Sequence, residues 1–318
     1  MRRFLLALTM VPAVFGAAAM AGAPASVTEA LVTNQTGDSL SIVSLADMQP
    51  VAEIAIGGKP AGIATSPDGK FAYLTSPEGK EVVVVDAGAR QVAKRIKVGE
   101  APLGVAAHPS SGRVYVADWF THKISVLDPS AGKIVAEIPV GESPSGLAVT
   151  ADGKLLLSAD RDSDQVSIID TATNTRIGTV AVGKRPFGIT VDATGKRAYT
   201  ANVASDDVSV IDIAAGRLIG TVPVGHRPYA VALAGLYAFV TNQYASTVSV
   251  IDVGSLKVVQ TIEVGDHPEG IAADPAGANV YVACWFDNVL LRIDAAKLQV
   301  SGEAAVGDGP RAFGLFLR

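Results

Sequence analysis

The stretch VGKRPFGITVDATGKRAYTANVASDDVSVIDIAAGRLIGTVPVG, residues 182–225, holds one complete repeat and the opening of the next. It starts on Val182-Gly183 with Pro186 three residues after the glycine, passes through four short β-rich runs, and ends on the next Val-Gly pair at Val224-Gly225. The runs begin with Gly188-Ile189-Thr190 and continue with one ending at Asn202. Then come Val208-Ser209-Val210-Ile211-Asp212 and a last run into Val224. Ala193-Thr194-Gly195 separates the first two as a hairpin turn, where Gly tolerates a left-handed backbone. Four strands in about forty residues make a propeller blade.

The same V-G-x-x-P signal, with Ile56 for Val in the first copy, recurs at Gly57, Gly99, Gly141, Gly183, Gly225, Gly265 and Gly307. The spacings are 42, 42, 42, 42, 40 and 42 residues, so one period is short by two. Asn202 to Asp212 and Asn242 to Asp252 are equally long, as are Asp212 to Gly225 and Asp252 to Gly265, which places the deletion in the first hairpin around Leu233 to Gly235. The expectation is therefore an all-β, seven-bladed β-propeller with four-stranded antiparallel blades.

The first β-run, Ala30-Leu31-Val32-Thr33-Asn34, reads as a second strand of a blade, and Arg311 to Arg318 reads as a first strand without partners of its own. Pairing this C-terminal strand with the N-terminal strands would close the ring and remove exposed sheet edges.

Residues 1–25 have the pattern of a cleaved signal peptide: Arg2-Arg3, a short apolar stretch from Phe4, and small residues before Ala25. The stretch is too short and too broken by Pro12 for a membrane anchor. Residues 26–318 are then expected to form one propeller domain, periplasmic or secreted, with no membrane span after cleavage and read as a monomer. Removing Arg2 and Arg3 takes the formal charge from −5 to −7, which gives no general attraction to nucleic acid. The single cysteine excludes an intrachain disulfide framework.

The strands Leu31-Val32-Thr33-Asn34 and Phe239-Val240-Thr241-Asn242, with Tyr73-Leu74-Thr75-Ser76, Tyr115-Val116-Ala117-Asp118 and Tyr281-Val282-Ala283-Cys284, resemble those of the YVTN family of propeller repeats. The resemblance spans nearly all of the chain after residue 25. It implies the fold but not one function, because such propellers serve as surface proteins, binding modules, lactonase-like enzymes and partners of redox systems.

Positions that hold constant across the copies serve the blade. The Asp column of Asp86, Asp128, Asp170, Asp212, Asp252 and Asp294 is expected to cap turns, and the Gly of V-G-x-x-P to supply positive φ. Variable positions on the interblade links and on the loops between second and third strands share one rim, the default site. That rim gathers the candidate ligand-binding residues Trp119, Phe120, Arg161, Arg185, Phe187, Arg227, Tyr229, Tyr244, Trp285, Phe286 and Arg311. The aromatics offer stacking faces and the arginines suit a carboxylate or phosphate.

His226, His267 and Glu269 arrive on successive links, so a metal or tetrapyrrole could be held there if they converge. His108 reads as a turn residue on the opposite rim. Cys284 breaks a column otherwise filled by Asn34, Ser76, Asp118, Asp160, Asn202 and Asn242. It is either a small packed side chain, or a reactive thiol or metal ligand.

No nucleophile motif or phosphate loop stands out. The leading expectation is a noncatalytic module whose rim binds a partner protein or small ligand. The alternatives are a metal- or tetrapyrrole-dependent redox accessory or a lactonase- or lyase-like enzyme, and, third, a binder of single-stranded nucleic acid.

Overall fold

The second and third runs of each repeat are apolar on both faces, as in Val82-Val83-Val84-Val85, which only a sheet covered on both sides can bury. A computed structural model, which describes residues 27–318, arranges the repeats as seven such sheets. The predicted signal peptide, residues 1–25, lies outside the described residues. Blade two shows the common order from axis to edge: Gly62–Thr65, Phe71–Ser76, Glu81–Asp86 and Gln91–Lys97. Blade one takes its outer three strands from Glu29–Asn34, Ser39–Ser44 and Gln49–Ala55. Among the described residues the only helical element is a short 3-10 turn at Arg161–Ser163, and no helix is long and apolar enough to cross a membrane.

The core lies between blades. Side chains such as Leu127, Ile124, Ile168 and Val208 are buried, each worth about 1.5–3 kcal/mol. Outer strands are exposed except near their ends, where Ile54, Ile96, Ile138, Val180, Val222, Ile262 and Ala304 turn inward.

The YVTN letters acquire physical roles. The threonine ties a blade to the inner strand of the next: Thr33 Oγ1 donates to the Ala61 carbonyl at 2.9 Å and Thr75 Oγ1 to that of Leu103 at 2.7 Å. The asparagine stays within its blade. Asn202 Nδ2 donates to Ser209 Oγ and Asn242 Nδ2 to Ser249 Oγ, both at 2.9 Å. Gly225 N–H donates to Asn242 Oδ1 at 3.1 Å.

The Asp column caps turns as expected; Asp170 Oδ1, for example, accepts from the N–H groups of Ala172 and Thr173 at 2.9 and 2.8 Å. The V-G glycines require a correction. Only Gly57 has positive φ, at 80°; the other six are glycine because a Cβ would strike the asparagine-type column, at 1.5 Å from Asp118 for Gly99 and 2.5 Å from Asn202 for Gly183. Left-handed backbone occurs instead directly before the proline, at Lys59, Ser143, Arg185, Arg227, His267 and Gly309, with φ of 52–62°. At all of these but His267, a side chain of the preceding blade clasps the N–H of this residue. Asp38, Asp164 and Asp206 accept the N–H groups of Lys59, Arg185 and Arg227 at 2.8 Å, and Asn288 accepts that of Gly309 at 2.9 Å.

The shortened hairpin falls where the spacing put it. Ala234 pairs with Tyr237 across a two-residue turn, with Gly235 at φ 57° in its first position, as a type II′ turn requires.

The ring closes through the C-terminal segment, with one difference from the expected plain strand. Leu31 N–H donates to Phe316 O at 2.8 Å and Arg311 N–H to Thr33 O at 2.7 Å, so chain end and chain start share blade one. In blade three, Pro102 faces Asp118 and Val105 faces Val116, whereas Pro310 faces Asn34 and Leu317 faces Ala30. Seven steps on the closing segment thus span four on its neighbour, a bulge two residues larger than elsewhere. The bulge carries Phe313–Leu315 off its own blade and into parallel pairing with Gly62–Ala64 of the next.

Candidate functional site

The two ends of the axis are chemically different. On the rim formed by the links and the second-to-third loops, Phe187 packs at a tilt against Tyr229 at 4.6 Å and against Phe313 at 4.9 Å, with Trp119 at 6.1 Å beyond Phe187. Phe187, Tyr229, Phe313 and Leu103 are all buried. They plug the axis just below this rim. Phe187 and Tyr229 therefore form its floor, and the closing bulge supplies Phe313.

A polar network lies against the plug. Arg311 Nε donates to the Tyr229 hydroxyl at 2.8 Å and Nη1 to Gln35 Oε1 at 2.9 Å, while its guanidinium lies 6.0 Å from the Trp285 ring. Glu269 is buried beside it: Oε2 sits 3.2 Å from Arg311 Nε, and Oε1 accepts from Gln243 Nε2 at 2.6 Å. Burial pushes the Glu269 carboxyl above its usual range, against the opposing pull of Arg311 and Gln243. Gln243 continues the chain outward by accepting from Arg227 Nε at 2.7 Å.

Outside this floor the rim is open. Arg227 covers the Tyr244 ring at 4.6 Å, Arg161 covers Trp119 at 5.1 Å and pairs with Asp162 at 2.7 Å, and Arg185 reaches the same Asp162 at 3.8 Å. The three arginines share one field. Burial lowers the Arg161 pKa, Asp162 opposes this, and the charges of Arg185 and Arg227 lower it further. Phe120, Tyr244 and Phe286 stand out from the rim, 68%, 52% and 60% exposed. Planar cations beside exposed aromatic faces can hold carboxylate or phosphate groups together with flat apolar surface.

The expected metal set does not come together. The Tyr244 ring lies between the imidazoles of His226 and His267, at 5.5 and 5.3 Å, and Glu269 turns away to Arg311. His267 Nδ1 is 2.7 Å from Asp266 Oδ1, and its ring packs on Phe286 at 4.5 Å. Among the described residues, no group of three His, Cys, Asp or Glu side chains could hold a metal ion. His122 belongs to the clasp, its Nδ1 accepting the Ser143 N–H at 3.1 Å. His108 caps its own hairpin, accepting from Ser110 and Ser111.

Cys284 is fully buried, and burial pushes its thiol up to about 12. Its neighbour on the third strand explains the exception. Where the column residue is Asn or Asp, as at Asn202 and Asn242, a serine faces it; Cys284 is matched by Leu291, and Ser76 by Val83. The blade has exchanged a polar pair for an apolar one. Gln35, Gln243 and Phe313 were not among the predicted site residues. Gln35 and Gln243 occupy the same column as Trp119 and Trp285, so their signal was the column itself.

A family model described as a YNCE-like beta-propeller matches residues 11–113. No curated protein matches the sequence. Among solved structures, Kuenenia stuttgartiensis hydrazine synthase superposes with a TM-score of 0.77 at 20% identity, over 88% of this chain and 99% of that one. A functionally unknown protein from Desulfotomaculum acetoxidans DSM 771 gives 0.76 at 17% identity, over 89% of this chain and 98% of that one. At these identities the likeness is one of fold alone. Repeats and ring agree on one class: the chain is a seven-bladed β-propeller, and the family match over residues 11–113 is consistent with repeats of the YVTN type.

Proposed function

We propose that this protein is an exported, periplasmic or secreted binding module that performs no chemistry of its own. Its plugged rim docks a partner protein or ligand through carboxylate or phosphate groups. One observation carries the reading: Phe120, Tyr244 and Phe286, the exposed aromatics among the large apolar side chains of the described residues, all stand on the rim that holds Arg161, Arg185 and Arg227. Exposed aromatics next to arginines are what docking surfaces concentrate. A catalytic or metal-holding reading built on His226, His267 and Glu269 has less support, because the Tyr244 ring stands between the two imidazoles and Glu269 turns away from them towards Arg311.

Photo-crosslinking amino acids placed at Phe120 or Tyr244 in the producing cell test this, with Leu236, 70% exposed at the opposite hairpins, as control. The rim positions should yield one discrete adduct, reduced at least tenfold by Arg185→Glu with Arg227→Glu. An adduct of equal yield from Leu236, or none from the rim, contradicts the proposal. A discrete nucleic-acid adduct would move the assignment to single-stranded nucleic acid.

A further inference from the structure

The aromatic plug leaves the other end of the axis as a separate chamber. A cavity of about 570 Å³ opens there among the first hairpins, and its walls are the inner strands. It does not continue to the rim described above, because Phe187, Tyr229, Phe313 and Leu103 close the axis between them. A blind chamber of this volume is in the range of small-molecule sites.

Its walls are apolar and unevenly packed. Val105, Ala106, Val231 and Ile271 are buried by their neighbours, but Leu147 to Val149 and Ile189 to Val191 keep part of their surface facing open space. At the mouth Leu315 is 69% exposed. The charged lining groups are already committed: Asp68 accepts from Ser66 at 2.7 Å, and Arg318 Nε donates to Glu29 at 2.7 Å. The lining hydroxyls are committed as well, Thr65 to the Leu317 carbonyl, Ser66 to Asp68 and Thr150 to Asp152. Thr190 differs. It stands where the inner strands of blades two to four have Ala64, Ala106 and Ala148, and its hydroxyl has no protein partner among the described residues.

We infer that this chamber is a second binding site, for a small, neutral, largely apolar molecule with one polar atom that meets the Thr190 hydroxyl. A charged ligand would lose its hydration without finding an unpaired counter-charge inside, which selects for neutrality. The plug denies passage to a polypeptide, which selects for a small molecule.

N-phenyl-1-naphthylamine, a neutral aromatic fluorophore with one N–H, is a suitable probe. Titrated into the full-length protein, it should show a single saturable site with enhanced emission. Thr190→Val should weaken binding about fivefold, the effect of one lost hydrogen bond. Ala148→Trp, which fills the chamber, should weaken it at least tenfold, and Leu315→Arg should do so from the exposed mouth if the tryptophan variant does not fold. Phe120→Ser and Tyr244→Ser should leave it unchanged. Absence of saturable binding to the folded protein, binding that survives Leu315→Arg, or loss of binding in the rim variants would each overturn the inference.

Discussion

Glu269 and Arg311 lie 3.2 Å apart as an ion pair where little water reaches. Removing one partner strands the other in a medium that cannot solvate it, which costs far more than the pair contributes on balance. Glu269→Gln and Arg311→Met are each expected to lower stability by about 3–5 kcal/mol, and the double variant to recover a substantial part of the loss. Urea unfolding of the three variants checks this; additive losses would show that the two charges do not depend on each other. Both residues were legible in the sequence as rim candidates, but not their partnership. Glu269 was grouped with His226 and His267 because all three come from links, and chain order cannot say which way a side chain turns. Cys284 was legible as an exception; its cause, Leu291 in place of serine, appears only when the two strands lie side by side.

At the level of the single strand and turn, the repeat pattern determined nearly everything. The four runs, the capped turns and the two-residue deletion near Leu233 to Gly235 all follow from spacing, because blades stack only if their strands keep register. The reason for the V-G glycine did not follow. A sequence displays a glycine but not what would meet its Cβ, and Gly183 is held by the nearness of Asn202, Ser205 and Asp207 rather than by its backbone angle. Gly183→Ala should therefore lower stability by about 1–3 kcal/mol, as overpacking does. Gly178→Ala, in an outer strand with nothing within 4 Å of the new carbon, should be neutral or slightly stabilising. Comparison of the two denaturation midpoints decides, and equal effects would contradict the steric account.

At the scale of the molecule, one segment completes the ring and divides it. Residues 311–318 supply the backbone partners of Glu29–Asn34, the Arg318–Glu29 ion pair, the Arg311 that holds Glu269, and Phe313 in the plug between rim and chamber. The closure was legible from strands left without partners at the two ends. The bulge left a fainter mark: Gly314 follows Pro310 by four residues, whereas Gly62 follows Pro60 by two. Its consequence, an axis sealed by Phe313, depends on Phe187 and Tyr229 arriving from blades five and six, which no single repeat records. The central claim, that this segment holds the molecule closed, is tested by thermal unfolding and size-exclusion chromatography of a chain lacking residues 311–318. The closure predicts a melting temperature lower by more than about 10 °C, or association through the opened sheet edge. Melting and elution unchanged from the full-length protein would contradict it.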